Sequence, residues 1–589
     1  MYCARYSFAS GDTDKIPVSP GLLYAQKPGY GFVTEKNRRQ QALLRISELN
    51  SGFEPAPWFC DSDLTDIGQD EAGCFGQGVY GLQEGRRIPL CFKAGVPKGG
   101  RYKVTLLLYS RADMRDIRVF SGRRRLEMAQ PFLKAGTPLE CRMWVDVSDI
   151  IPRGHTEAFA DTAVDLAVVA DRPCIAYVSI EEALCPAVFL AGDSTVTDQT
   201  AQYPFSPMDS YAGWGQMLSF FFGEGVAVSN HSHSGLTTES FRQEGHYEVM
   251  RRFWKRGDYI LFQFGHNDQK LSHLQAEGGY RENLARYIEE AREAGLHPLL
   301  VTPLSRNTWK GSDGSYNDLL ETYAESCLRL GREMEVPVLD LHGQSMAFLK
   351  EKGKEAAKPY FFPGDYTHTN DCGACLMAWK VACQIREVCG GDRRASYRDL
   401  AAHVQTELPE DLCRPEPVTA LEKPEGYEQE VMQQGSRNLL EDLTDPEGVL
   451  LRAEGLDMVV RSAGFFQTNV YNDLFTDVVG HEWYAGIVEC ALQNGILIPE
   501  VCRGKLFCPQ EPVTLLDFLV FAMNAYSSRK ELPEAADCPY DGQSPDWAKK
   551  AVRAAWALGA LDADGKDRLA SGISRRRGAQ ICRDIKILG

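Results

Sequence analysis

From Ala187 onward the chain alternates apolar runs of strand length with segments of helical character, and this alternation constrains the fold more than any other feature. The runs are Ala187-Val-Phe-Leu-Ala191, Gly225-Val-Ala-Val-Ser229, Tyr259-Ile-Leu-Phe-Gln-Phe264, Pro298-Leu-Leu-Val-Thr302 and Val336-Pro-Val-Leu-Asp340. A strand that is apolar on both faces needs a covering layer on each side. Between the third and fourth runs, Leu284, Tyr287, Ile288 and Ala291 recur at helical spacing and Gly295 supplies a stop, which predicts a helix over 280–295. Fully apolar strands alternating with helices predict an α/β domain on a parallel sheet, covering 187–395.

The flanks read differently. Residues 1–186 carry short alternating runs such as Tyr102-Lys-Val-Thr-Leu-Leu-Leu-Tyr109 and Ala163-Val-Asp-Leu-Ala-Val-Val-Ala170. Punctuation such as Val96-Pro-Lys-Gly-Gly100 separates them, predicting an N-terminal β-sandwich. Residues 396–440 are polar, acidic and proline-bearing, as expected of a linker with one helix. Residues 441–589 are helical in character and weakly repetitive. Phe475-Thr-Asp-Val478, His481-Glu-Trp-Tyr484 and Ile487-Val-Glu-Cys-Ala491 have a weaker echo in Asp546-Trp-Ala548 and Ala551-Val-Arg-Ala-Ala555.

Composition narrows the function classes. The 589 residues carry a formal charge of −17, which argues against nonspecific binding to nucleic acid or anionic lipid. No apolar run approaches the roughly 18 residues of a membrane span. The N-terminal stretch Met1 to Phe8 lacks a basic region followed by an apolar one, so the expectation is either a cytoplasmic protein or an extracellular one read from after a cleaved leader. Eighteen scattered cysteines predict free thiols in a reducing or anaerobic setting. The one CxxC, Cys372 with Cys375, reads as the start of a buried helix, without the second ligand pair a metal site needs. No cofactor or metal is expected.

Four segments carry chemistry, each placed after an apolar run. Gly192-Asp193-Ser194 follows the first, where a serine leading into a helix sits at the ligand-binding edge of an α/β sheet. Asn230-His-Ser-His-Ser-Gly235 follows the second, and Gly235 offers an unobstructed backbone N–H. Gly265-His266-Asn267-Asp268 follows the third, with Asn267 as an amide donor, and Asp365-Tyr-Thr-His368 follows the last. A hydroxyl nucleophile needs a base, and the base an orienting acceptor. His368 fits as base for Ser194, with Asp365 orienting the imidazole. The N–H groups of Ser194 and Gly235 and the Asn267 amide form the expected oxyanion hole. Asp193 and His266 are candidate supporting residues.

Taken in order, these blocks resemble the SGNH/GDSL hydrolase superfamily, and within it the rhamnogalacturonan acetylesterase-like carbohydrate esterases. The matching pieces are Val188-Phe-Leu-Ala-Gly-Asp-Ser-Thr-Val196, Gly213-Trp-Gly215, Gly235-Leu-Thr-Thr-Glu-Ser-Phe-Arg-Gln-Glu-Gly245, Thr302-Pro-Leu-Ser305 and His368-Thr-Asn370. The resemblance covers roughly residues 187–390. It implies a flavodoxin-like fold and metal-free removal of O-acetyl groups from plant cell-wall polysaccharide. It also implies Ser194 as nucleophile, Asp365 and His368 completing the triad, and Gly235 and Asn267 in the oxyanion hole. Tyr6-Ser-Phe-Ala-Ser-Gly11, Gly29-Tyr-Gly-Phe32 and Val96 to Tyr102 resemble the β-sandwich preceding many bacterial members, a carbohydrate-binding jelly roll in appearance. Its aromatics Tyr30, Phe32 and Trp58 read better as core, and the layer as a flank completing the cleft.

The C-terminal region resembles S-layer homology repeats, helical units that anchor proteins to cell-wall polymers. The signature of that family is carried best at Leu451-Arg-Ala-Glu454 and departs from it at Thr514-Leu-Leu-Asp517 and Ser574-Arg-Arg-Arg577. Either wall-glycan binding or a helical module for packing or dimerisation fits. The leading expectation is a serine O-acetylesterase acting on rhamnogalacturonan or pectin. The alternatives are deacetylation of xylan or another hemicellulose, and a noncatalytic wall-binding protein. Oligomeric state is not legible.

Overall fold

All five apolar runs become strands, Ala187–Gly192, Ala227–Asn230, Tyr259–Gln263, His297–Val301 and Val338–Leu339. They pair in parallel with the first strand between the second and third, a 2-1-3-4-5 order. This is the strand order of flavodoxin-type doubly wound sheets, whose ligand crevice opens where the order reverses, beside strand one. The molecule is described by a computed structural model over residues 2–10, 14–25, 27–34, 52–55, 67–79, 85–151, 157–310, 314–416, 446–465, 475, 477–478, 484–504, 506–528, 530–535 and 537–586. It divides into two compact units, Met1–Asn307 with Asp318–Leu421, and Thr308–Asn317 with Glu422–Gly589.

Side-chain alternation along the first strand explains the covering layers. Ala187, Phe189 and Ala191 join one buried cluster with Tyr280, Leu284, Tyr287, Ile288 and Ala291 of helix Gly279–Glu293. Val188 and Leu190 join the opposite cluster, with Ala374, Met377 and Val381 of helix Asp371–Gln384. Each Leu or Val fully buried in this way contributes about 1.5–3 kcal/mol relative to exposure. Cys372 and Cys375 lie in that second helix and are buried.

The sheet does not end at the α/β region. Strand Leu139–Val147 pairs in parallel with Ala227–Asn230 through Val145 and Val228. It is followed outward by Gly100–Leu108, Tyr177–Glu182, Cys3–Ser7 and Ile16–Pro17, which completes a mixed ten-stranded sheet. A second sheet of five antiparallel strands runs Arg125–Leu133, Met114–Ser121, Ala163–Val169, Leu90–Gly95 and Tyr30–Phe32. Val104, Leu106 and Leu108 of the first sheet share a buried cluster with Phe92, Leu166 and Val168 of the second. Phe32 is fully buried in that cluster and Tyr30 packs against it, whereas Trp58 lies outside the described residues.

The described part of the stretch read as a linker, 396–416, is packed rather than extended. Tyr397, Leu400 and Ala401 are buried on helix Ala395–Ala402, and the Tyr397 hydroxyl donates to the Pro298 carbonyl at 2.8 Å. Three apolar residues at helical spacing are enough to dock a short helix in an otherwise polar stretch. Residues 417–440 lie outside the described residues.

In the second unit, helices Arg452–Ser462, Leu515–Ser527 and Arg575–Ile585 each follow a short extended segment. The segments close a backbone ring: Leu450 N–H donates to the Ile573 carbonyl at 2.9 Å, Ile573 N–H to Val513 at 3.2 Å, and Val513 N–H to Leu450 at 2.9 Å. Thr514 and Ser574 cap their helices through side-chain oxygens, and at Leu451 the Glu454 carboxylate accepts the backbone N–H at 3.0 Å instead. Of the sequence motifs assigned to this region, His481, Glu482 and Trp483 lie outside the described residues. Among the described residues the cysteines are free thiols, and no helix is long and apolar enough to cross a membrane.

Candidate active site

Ser194 stands two residues beyond the central strand Ala187–Gly192. The chain does not run into a helix there, as the sequence suggests, but makes a single turn. Asp193 Oδ1 accepts from the Thr195 N–H at 3.0 Å and the Thr195 hydroxyl at 2.8 Å, and the Asp193 carbonyl accepts from Val196 N–H at 3.1 Å. These local bonds satisfy the backbone without a helix. The turn is sealed by Gly213 and Gly215. A Cβ on Gly213 would meet the Val196 carbonyl carbon at 2.4 Å, and one on Gly215 the Val196 oxygen at 2.4 Å. The Gly213-Trp-Gly215 block is thus a close backbone approach under the turn bearing Ser194.

His368 is carried by the loop between Tyr360 and helix Asp371–Gln384. Its Nε2 lies 2.8 Å from Ser194 Oγ, and its Nδ1 lies 2.8 Å from Asp365 Oδ2. Asp365 Oδ1 accepts the backbone N–H groups of Thr367 at 2.7 Å and His368 at 3.0 Å. Burial alone would push the Asp365 carboxyl up, but the His368 ring and these two N–H groups hold it below its ordinary value. The ring therefore faces a carboxylate, which places the proton on Nδ1 and leaves the Nε2 lone pair toward the serine hydroxyl.

Among the described residues, neither Ser194 N–H nor Gly235 N–H donates a hydrogen bond within the protein. Gly235 has φ of 87°, a left-handed conformation that glycine adopts without strain, and no atom stands within 4 Å of the position a Cβ would take. Asn267 is fixed from both ends: its Nδ2 donates to the Leu236 carbonyl and its Oδ1 accepts from Lys270 Nζ, each at 3.0 Å. One of its two amide hydrogens is used there. The buried Asp268 ties the Gly235 and Asn267 loops together, accepting from Thr238 N–H at 2.9 Å, the Thr238 hydroxyl at 2.6 Å and Gly265 N–H at 3.1 Å.

His266 lies at the site but presents no ring nitrogen to a substrate. Nδ1 is 3.1 Å from Asp193 Oδ2 and Nε2 is 2.8 Å from the Leu304 carbonyl. Both Asp193 and His266 are buried. Burial opposes the charge on Asp193, and His266 with the Thr195 donors holds its carboxyl below the ordinary range. The pair braces the base of the turn bearing Ser194. Sequence reasoning missed Lys270, Gln199 and Tyr211. Lys270 follows Asn267 by three residues, a spacing that could have revealed it. The Tyr211 ring stacks on Phe362 at 3.6 Å and meets the His368 ring edge-on at 5.8 Å, a pairing across more than 150 residues that no local pattern carries. Among the described residues, no group of three or more His, Cys, Asp or Glu side chains could hold a metal ion.

A strand-end serine, a histidine–carboxylate pair and two undonated N–H groups are an arrangement that can supply a nucleophile, a base and donors for a developing oxyanion. The model of the GDSL-like lipase/acylhydrolase family matches residues 190–374. Rhamnogalacturonan acetylesterase RhgT of Bacillus subtilis (strain 168) is 36% identical over 214 residues, covering 34% of this chain and 90% of that protein. The probable rhamnogalacturonan acetylesterase YesY of the same strain is 33% identical over 209 residues, with 34% of this chain and 93% of YesY covered. Its uncharacterized esterase YxiM is 27% identical over 384 residues, with 64% of this chain and 88% of YxiM covered. The chain belongs to the GDSL-like lipase/acylhydrolase family.

Proposed function

We propose that the protein is a serine carbohydrate O-acetylesterase that deacetylates plant cell-wall polysaccharide of the rhamnogalacturonan type. The observation that carries the reading is the 2.8 Å approach of His368 Nε2 to Ser194 Oγ, with Asp365 behind the ring. The substrate class is supported by the names of RhgT and YesY. Ser194 Oγ attacks the acetyl carbonyl carbon as its proton passes to His368 Nε2. The carbonyl π electrons move onto oxygen, where the Ser194 and Gly235 N–H groups and the Asn267 amide stabilise the negative charge. Collapse expels the sugar alkoxide, which takes the proton from His368. Water, deprotonated by the same histidine, then attacks the acetyl-serine carbonyl carbon, and collapse breaks its bond to Oγ, which takes the proton back from His368 as acetate leaves. The two-sheet N-terminal layer, residues 1–186, serves as a flank to the esterase region 187–395, and 441–589 as a separate helical repeat module.

The test is acetate release from acetylated rhamnogalacturonan or pectin, xylan and mannan. Release is expected to be fastest from the pectic substrate. Release from xylan alone would move the assignment to hemicellulose, and none from any of the three would refute it. Asn267→Ala is expected to lower kcat by about 10²–10³-fold, the usual effect of deleting one oxyanion donor. A change below threefold in steady-state acetate release would remove Asn267 from the oxyanion hole.

A further inference from the structure

Arg124 is entirely buried, and a permanent cation with five N–H donors is retained in such a place only when its donors are met. It occupies the turn between strands Met114–Ser121 and Arg125–Leu133 of the five-stranded sheet, at φ of 65°, a region that non-glycine residues rarely adopt. Nη1 donates to both carboxylate oxygens of Asp371 at 2.7 Å, and Nη2 to the Tyr211 carbonyl and to Gln216 Oε1, the latter at 3.4 Å. Nε donates to the Gln199 carbonyl at 3.1 Å.

These acceptors belong to the two loops that must meet for reaction. Asp371 comes three residues after His368 and opens the helix that follows it. Tyr211 lies against the His368 ring, and the next residue, Ala212, exchanges hydrogen bonds with Thr369: its carbonyl accepts the Thr369 hydroxyl at 2.7 Å and its N–H donates to the Thr369 carbonyl at 3.0 Å. On the other side, Gln199 Nε2 donates to the Ser194 carbonyl at 3.3 Å. One guanidinium thus joins the segment carrying the serine to the segment carrying the histidine. A lysine ammonium has three donors on a flexible stem and cannot reproduce a planar fork with acceptors on several sides.

We propose that Arg124 is a positioning residue of the esterase reaction, holding the Ser194 and His368 loops at the separation that lets Nε2 accept the serine proton. The inference rests on the serine esterase reading above. It makes the N-terminal layer part of the catalytic apparatus, although none of its residues touches the reacting atoms through this contact.

The experiment compares full-length wild type, Arg124→Lys and Asp371→Asn for acetate release, with kcat expressed per folded molecule from circular dichroism. Both variants are expected to lose about 10²-fold in kcat, the scale of a misplacement near 1 Å, with KM changed by less than about threefold. A purely structural role would lower the folded fraction and leave the kcat of folded molecules at the wild-type value, and that result overturns the proposal. Should Arg124→Lys not fold, Asp371→Asn decides, since it keeps side-chain shape while removing the charge partner. Failure of the esterase reading looks different: wild type releases no acetate, or Ser194→Ala releases it at the wild-type rate.

Discussion

Replacing Ser194 with alanine is expected to lower kcat for acetate release by at least about 10⁴-fold, because on the proposed route Oγ is the atom acylated and no other group takes its place. The variant should fold normally. Ser194 Oγ pairs with His368, and His368 keeps its bond to Asp365 when the hydroxyl is gone. Stability should therefore stay within about 1 kcal/mol of wild type. A Ser194→Ala, His368→Ala double variant should be scarcely slower than the serine variant alone, since residues that act as a unit are strongly non-additive. Retention of more than a tenth of wild-type kcat by Ser194→Ala would exclude the acyl-enzyme route through this residue.

The second large effect is expected from Asp365→Asn, about 10⁴-fold in kcat. Asparagine keeps the shape, but its amide can turn an N–H toward His368 Nδ1. The ring then carries its proton on Nε2 and points it at Ser194, so the base has no lone pair for the serine proton. In wild type the sign of the pH effect follows from the same contacts. Asp365 is held below the ordinary carboxylate range despite burial, by the His368 ring and the Thr367 and His368 N–H groups, so it is the ionised partner the imidazole needs. Activity of wild type should fall as the pH is lowered, because an imidazole without a free Nε2 lone pair cannot accept the Ser194 proton, giving an acid limb in kcat/KM. Because Asp365 is depressed in the folded state, its stabilising contribution is present above its unfolded value and lost as pH falls through its folded one. Retention of more than a tenth of wild-type kcat by Asp365→Asn would contradict this assignment.

The parts legible in the sequence are those governed by short-range periodicity. Apolar runs at Ala187, Gly225, Tyr259, Pro298 and Val336 disclose the strands, because strands covered on both faces have little choice but to be apolar. Once the strands are placed, residues just beyond them share one edge, which is why Ser194, Gly235, Asn267 and His368 could be grouped without coordinates. The sequence after Ser194 reads as helical entry, whereas the Asp193 side chain, rather than a helix, satisfies the Thr195 donors. Arg124 was invisible for another reason: it stands 70 residues before Ser194 in a region of different fold character, and an Arg-Arg-Arg run reads as a solvated turn. In the C-terminal region, Thr514-Leu-Leu-Asp517 and Ser574-Arg-Arg-Arg577 depart from the pattern at Leu451-Arg-Ala-Glu454, yet the ring that links the three segments is made of backbone bonds, which side-chain changes leave in place.

The most direct test is covalent capture of the nucleophile. A fluorophosphonate that reacts with activated serines should add once to the native protein, with the mass increment on the peptide containing Ser194, and acetate release should fall in proportion to labelling. Labelling should disappear in Asp365→Asn and Ser194→Ala. Modification at a different residue, or continued acetate release from fully labelled protein, would contradict the assignment of Ser194 as the acylated residue.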